Sequence, residues 1–80
     1  MGNTIALIGI MVMDWDATEK LNDVLHEYAV YILGRMGIPY KSKNVNIISV
    51  ALDAPSDVVN ALTGKIGRIQ GIKAKTLYSE

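Results

Sequence analysis

The residue types that could do chemistry are few and widely spaced. His26 is the only histidine, and the chain has no cysteine. A helical metal site needs a second imidazole one turn away, but Asn22 and Val30 hold those positions. His26 therefore reads as a surface or interface residue, with a metal shared across a symmetry axis as the sharper alternative. Gly64-Lys65-Ile66-Gly67-Arg68 has the flavour of a phosphate loop. It lacks the full G-x-x-x-x-G-K-[ST] pattern and follows no strand, so helix-end packing with a solvated basic face explains it better. Asp14, Trp15 and Asp16 sit where a strand hands over to a helix N-terminus, a natural ligand position in an α+β topology. Backbone N–H groups there favour an anion, whereas the two aspartates oppose one. Capping by Asp16 and packing by Trp15 explain both residues without a ligand. Arg35 is expected in the last turn of a helix beside Tyr31 and Tyr40, where its charge suits the helix C-terminus. The sharper reading makes Arg35 an anion or carboxylate site at an interface. There is no Ser-His-Asp set, no Cys-His pair and no pair of acids flanking a cleft, so the chain reads as a non-enzyme without a cofactor.

These residues must be positioned by a small body. Eighty residues make one domain, expected over 1–80. Such a chain buries only roughly 60–65% of its unfolded surface. Half of its residues are hydrophobic, more than one small core can hide, which points to an oligomer. Eight basic and eight acidic side chains cancel with no block of like charge, which argues against nucleic acid as a partner. The absence of cysteine fits a reducing compartment. The apolar run from Ile5 to Met13 has no basic flank and is too short for a membrane span, so a cytoplasmic location is expected.

Thr4 to Met13 reads as a strand that is apolar on both faces, hence central. Asp16 then caps a helix, with Glu19 completing a variant capping box. The spacing of Leu21, Val24, Leu25, Tyr28, Ala29, Ile32 and Met36 predicts that this helix runs to about Met36, with Gly37 as its C-cap. Val30 and Leu33 fall outside the stripe and need another cover. Ile38-Pro39-Tyr40 is a short extended piece, and Lys41 to Asn44 a turn. Val45 to Leu52 is a second strand. Pro55 suits the first turn of a helix whose stripe is Val58, Val59, Leu62, Ile66 and Ile69, ended by Gly71. Ile72 to Tyr78 closes as a strand.

The order β-α-β-β-α-β is the ferredoxin-like split βαβ arrangement, an α+β sandwich. Its four-stranded antiparallel sheet runs 4-1-3-2 with two helices on one face. The two central strands are then the two most apolar ones. Ile8, Ile10, Val12, Ile48, Val50 and Leu52 are assigned to the helix side. Leu7, Gly9, Met11, Met13, Ile47, Ser49 and Ala51 face outward, and an apolar patch of that size marks an interaction surface. With Val30 and Leu33 they are the expected interface of a homo-oligomer, a dimer or tetramer.

Leu25-His26-Glu27-Tyr28, then Ile32-Leu33-Gly34-Arg35-Met36-Gly37-Ile38-Pro39-Tyr40, then the run from Ala61 to Lys75 resemble the family of iron-only hydrogenase system regulators. These are small stand-alone proteins of anaerobic bacteria. The resemblance covers essentially the whole chain. It implies a ferredoxin-like domain similar to ACT domains and to the C-terminal domain of the nickel-responsive repressor, and a link to hydrogenase genes. The repressor's metal site does not transfer, because this chain has one histidine and no cysteine. Nothing here matches its DNA-binding segment either. ACT domains often bind amino acids at subunit interfaces near the loop after the first strand, which by analogy nominates Asp14 to Asp16, with Arg35. The resemblance thus implies a non-catalytic, oligomeric regulator that binds a small-molecule effector. The alternative is an adaptor or assembly factor that docks a hydrogenase-related protein without a ligand. A metal sensor built on His26 is the weakest reading.

Overall fold

Strict alternation shapes the first strand. In the computed structural model, which describes residues 2–79, β1 spans Thr4–Val12. Thr4, Ala6, Ile8, Ile10 and Val12 are buried, and the residues between them are exposed. A 3-10 turn over Trp15–Ala17 leads into α1, Thr18–Glu27, which buries Leu21 and Leu25. The cap differs from the expected one. The Asp14 carboxylate, not that of Asp16, accepts a backbone N–H, that of Asp16 at 3.0 Å. Ala17 precedes α1 without any side-chain cap, so Asp16 and Glu19 form no capping box.

The first helix is also much shorter than its periodicity predicts. It stops at Glu27, a 3-10 turn covers Ala29–Tyr31, and β2 spans Ile32–Tyr40. Two physical terms favour the strand. Gly34 and Gly37 would each cost a helix about 1 kcal/mol relative to Ala, and Val30, Tyr31 and Ile32 are poor helix formers. As a strand, the same segment forms a ladder with β3, Val45–Ala54. Gly37 is therefore not a C-cap but a strand residue opposite Ile48. Arg35 lies opposite Val50 rather than in a helical turn, and Leu33 falls at a bulge in the ladder.

Lys41–Lys43 form a 3-10 turn closed by Asn44 in the left-handed region, φ 56°. The second long helix, α2, spans Ser56–Gly67. Pro55 stands just before it rather than in its first turn, and its carbonyl accepts the N–H groups of Val58 and Val59. β4, Ile72–Tyr78, completes the sheet in the order β2-β3-β1-β4, with every pair antiparallel. The fold is the ferredoxin-like α+β sandwich. Ile8, Ile10, Val50 and Leu52 of the two central strands meet Leu21, Val59, Leu62 and Ile66 of the helices in a fully buried core.

Candidate functional site

The four residues nominated for a ligand stand at two separate places. Asp14, Trp15 and Asp16 form the corner between β1 and α1. The Asp14 carboxylate holds the Asp16 N–H, and the Asp14 carbonyl accepts the Ala17 N–H at 2.9 Å. The Trp15 indole N–H donates to the side-chain oxygen of Asn44. Each polar group named here thus has a local partner. Arg35 lies at mid-strand. Its register partner Val50 is four residues along β3 from Asn46, which faces the end of β1 at Val12. At 3.3 Å per residue that is about 13 Å of strand.

Arg35 does something that a helical position would not allow. From β2 it reaches across to α1, where its Nη1 donates to Asn22 Oδ1 at 3.2 Å. The two residues line an open cleft of about 270 Å³ with His26, Leu25, Ala29 and Ile32. Asn22 is a contributor that sequence reasoning missed. Its role follows only once Arg35 is on a neighbouring strand.

Lys65 is committed elsewhere. Its Nζ lies 3.2 Å from Glu27 Oε1 and 5.3 Å from the centre of the Tyr28 ring. The hydrogen bond to Glu27, with Tyr28 close by, holds its ammonium above the usual lysine pKa of 10.5. The residue ties α2 to the end of α1, in keeping with helix-end packing and not a phosphate loop.

The largest feature is the outer sheet face. Its register sets three rows across the four strands: Gly34, Ala51, Leu7, Leu77; Met36, Ser49, Gly9, Lys75; and Ile38, Ile47, Met11, Lys73. Gly9 beside Ser49 leaves the centre of the face without a large side chain. A hollow of about 430 Å³ lies there, walled by Met11, Ile47, Lys73 and Lys75. Leu7, Gly9, Met11 and Met13 are exposed, and Ile47, Ser49 and Ala51 half-buried, all as expected of outward residues. Val30 is 86% and Leu33 64% exposed, but from a turn and a bulge, not from a helix. Met36 at 65% and Leu77 at 69% enlarge the patch, with Ile38 and Tyr40. Sequence reasoning missed Met36, Ile38 and Tyr40 because their segment imitates a helix.

Among the described residues no group of three His, Cys, Asp or Glu side chains is placed to hold a metal ion. No helix among them is long and apolar enough to cross a membrane. The model of the TM1266-like family, described as "Iron-only hydrogenase system regulator, putative", matches residues 4–76. The chain belongs to this family. The family's description names a regulator and no reaction. Among solved structures, the uncharacterized protein TM1266 from Thermotoga maritima is 32% identical, with a TM-score of 0.93 over 98% of this chain and 99% of that one. A formyltetrahydrofolate deformylase from Pseudomonas putida KT2440 matches at a TM-score of 0.65 and 11% identity. That match covers 91% of this chain but 28% of the deformylase, and at such identity it shows the fold alone. No curated protein matches the chain.

Proposed function

We propose that this member of the hydrogenase-regulator family is a non-catalytic regulatory module that works by docking through its outer sheet face, first onto a second copy of itself. The observation that carries this reading is the continuity of that face. Leu7, Met11, Met36, Ile38 and Leu77 stand exposed on adjoining rows of one sheet. Leaving so much contiguous apolar surface in water is unusual for a monomer. The methionines adapt to a partner's shape. Gly9 and Ser49 let a second backbone approach closely.

The test is the mass of the protein in solution. Native mass spectrometry and light scattering should give a dimer or tetramer. Met11→Lys, a change at an exposed position, should yield a folded monomer. A wild-type monomer at the concentrations used for NMR would end the self-association reading.

One observation favours a second reading, an adaptor for a hydrogenase-related protein. Lys73 and Lys75 line only one flank of the central hollow. A partner with an acidic rim suits that flank better than a second copy, whose own lysines repel it wherever like rows meet. A stable complex with a hydrogenase-related protein, lost in Lys73→Glu/Lys75→Glu, would favour it.

A further inference from the structure

We infer that the cleft between α1 and β2 binds a small monocarboxylate with a short apolar tail, held by Arg35, Asn22 and His26 over a floor of Leu25, Ala29 and Ile32. The bulge at Leu33 sets the register so that Arg35, opposite the buried Val50, points to the helix side of the sheet. A cation on that side would meet the core on a central strand. On the edge strand β2 it meets the middle of α1, at Asn22, and an open cleft.

The guanidinium there is underused. It carries five N–H donors in a planar fork that matches a carboxylate. One contact, to the neutral Asn22 amide, is made. The one ion pair among the described residues joins Lys65 and Glu27, so Arg35 has no carboxylate partner of its own. His26, one turn after Asn22 on α1, also lines the cleft and carries an N–H donor. The lining thus combines three side chains that carry N–H donors with the aliphatic carbons of Leu25, Ala29 and Ile32.

The lining also says what the ligand is not. None of the six lining residues is acidic, so the cleft offers an α-ammonium group no counter-charge. A plain carboxylic acid suits it better than the matching amino acid. The volume of about 270 Å³ falls just below the range of roughly 300–1,000 Å³ typical of larger ligands, which limits the tail to a few carbons. A bare anion such as phosphate would leave the apolar floor wet.

The cleft lies on the opposite side of the sheet from the docking face, so this inference does not depend on self-association. It would supply an input for a regulator whose output is the outer face. β2 links them, because Arg35 points one way and its neighbour Met36 the other.

The test uses 3-methylbutanoate, valine, 3-methylbutanamide and inorganic phosphate as probes at millimolar concentration, read by backbone amide NMR shifts of the full chain. 3-Methylbutanoate should shift amides at residues 22–29 and 32–35 and bind more tightly than the other three. Arg35→Gln should weaken it by about tenfold or more, as expected for loss of a charged hydrogen-bond partner, while the spectrum stays that of the folded protein. Arg35→Lys should recover only part of the affinity, lacking the planar fork. No shifts, equal shifts from the amide, valine or phosphate, or shifts that survive Arg35→Gln would overturn the proposal. His26→Ala should also weaken binding, and unchanged affinity would remove His26 from the site.

Discussion

A Cβ placed on Gly71 would lie 2.5 Å from the Cβ of Asp14, closer than two carbon atoms can pack. Gly71 also has φ +88°, and its carbonyl accepts the Met13 N–H at 2.7 Å, fastening the entry of β4 to the exit of β1. Gly71→Ala should therefore destabilise the protein by at least about 2 kcal/mol, from left-handed backbone strain and the clash together. Asp14→Gly removes the clashing carbon, so the double variant should recover part of that loss. Urea denaturation of the four proteins in a double-mutant cycle measures the coupling, and strictly additive effects would show that the contact is not felt.

Gly64 presents the opposite case. A Cβ there would meet only the end of the flexible Arg68 side chain, at 3.6 Å, and the position is inside α2 with no left-handed φ. Gly64→Ala should stabilise the protein by about 0.5–1 kcal/mol, because alanine loses less backbone freedom on folding. A lowered melting temperature would contradict this and point to a role for bare backbone at this half-buried position of α2.

Burial separates two leucines of similar size. Leu62 is fully buried, and Leu62→Ala should cost about 2–5 kcal/mol, enough to leave so small a protein largely unfolded. Leu77 is 69% exposed, and Leu77→Ala should stay within about 0.5 kcal/mol when measured on monomeric protein. Thermal unfolding followed by circular dichroism distinguishes them.

Asn44 combines a backbone and a side-chain task. It closes the turn before β3 at φ 56°, and its side chain accepts the Trp15 indole N–H. Asn44→Gly loses only the second, whereas Asn44→Ala loses both and adds about 1–2 kcal/mol of left-handed strain. The alanine variant should be the less stable. Since Trp15 is the only tryptophan, its emission should change alike in both variants.

The Lys65 contacts give a pH signature. The folded state raises the lysine pKa above 10.5 through Glu27 and Tyr28. A group whose pKa is raised on folding stabilises fully below its unfolded value and loses that contribution as pH climbs through the folded one. Lys65→Met should thus differ from the wild type from neutral pH up to the usual lysine range, and the difference should shrink above it. Paired thermal melts along that range check the sign, and a gap that widens with pH would refute it.

Most of the architecture could be read without coordinates because each element carried its own signal. The alternation of β1 and β3 separated Ile8, Ile10 and Val50 from Leu7, Met11 and Ile47, and the helical spacing of Val59, Leu62 and Ile66 placed α2. The segment from Val30 to Tyr40 misled because Ile32 and Met36 stand four apart, as on a helix, while the ladder that holds them is supplied by residues ten or more positions away. Asp16 with Glu19 three residues on imitates a capping box, and the 3-10 turn that selects Asp14 instead has no periodic signature. The pairing of Arg35 with Asn22 was illegible for the same reason, since it exists only between two finished elements.

The strand order also has a consequence for synthesis. β1 is made before the other three strands, yet it sits at the interior of the sheet between β3 and β4. Its Ile8 waits for Val50 on one side and Thr76 on the other, so half of its hydrogen-bonding capacity is unmet until the fourth strand is made. Throughout that interval a long apolar segment with unpaired backbone is open to the same segment on a neighbouring nascent chain. Cells making this protein quickly should therefore lose more of it to inclusion bodies than cells making it slowly or in the cold.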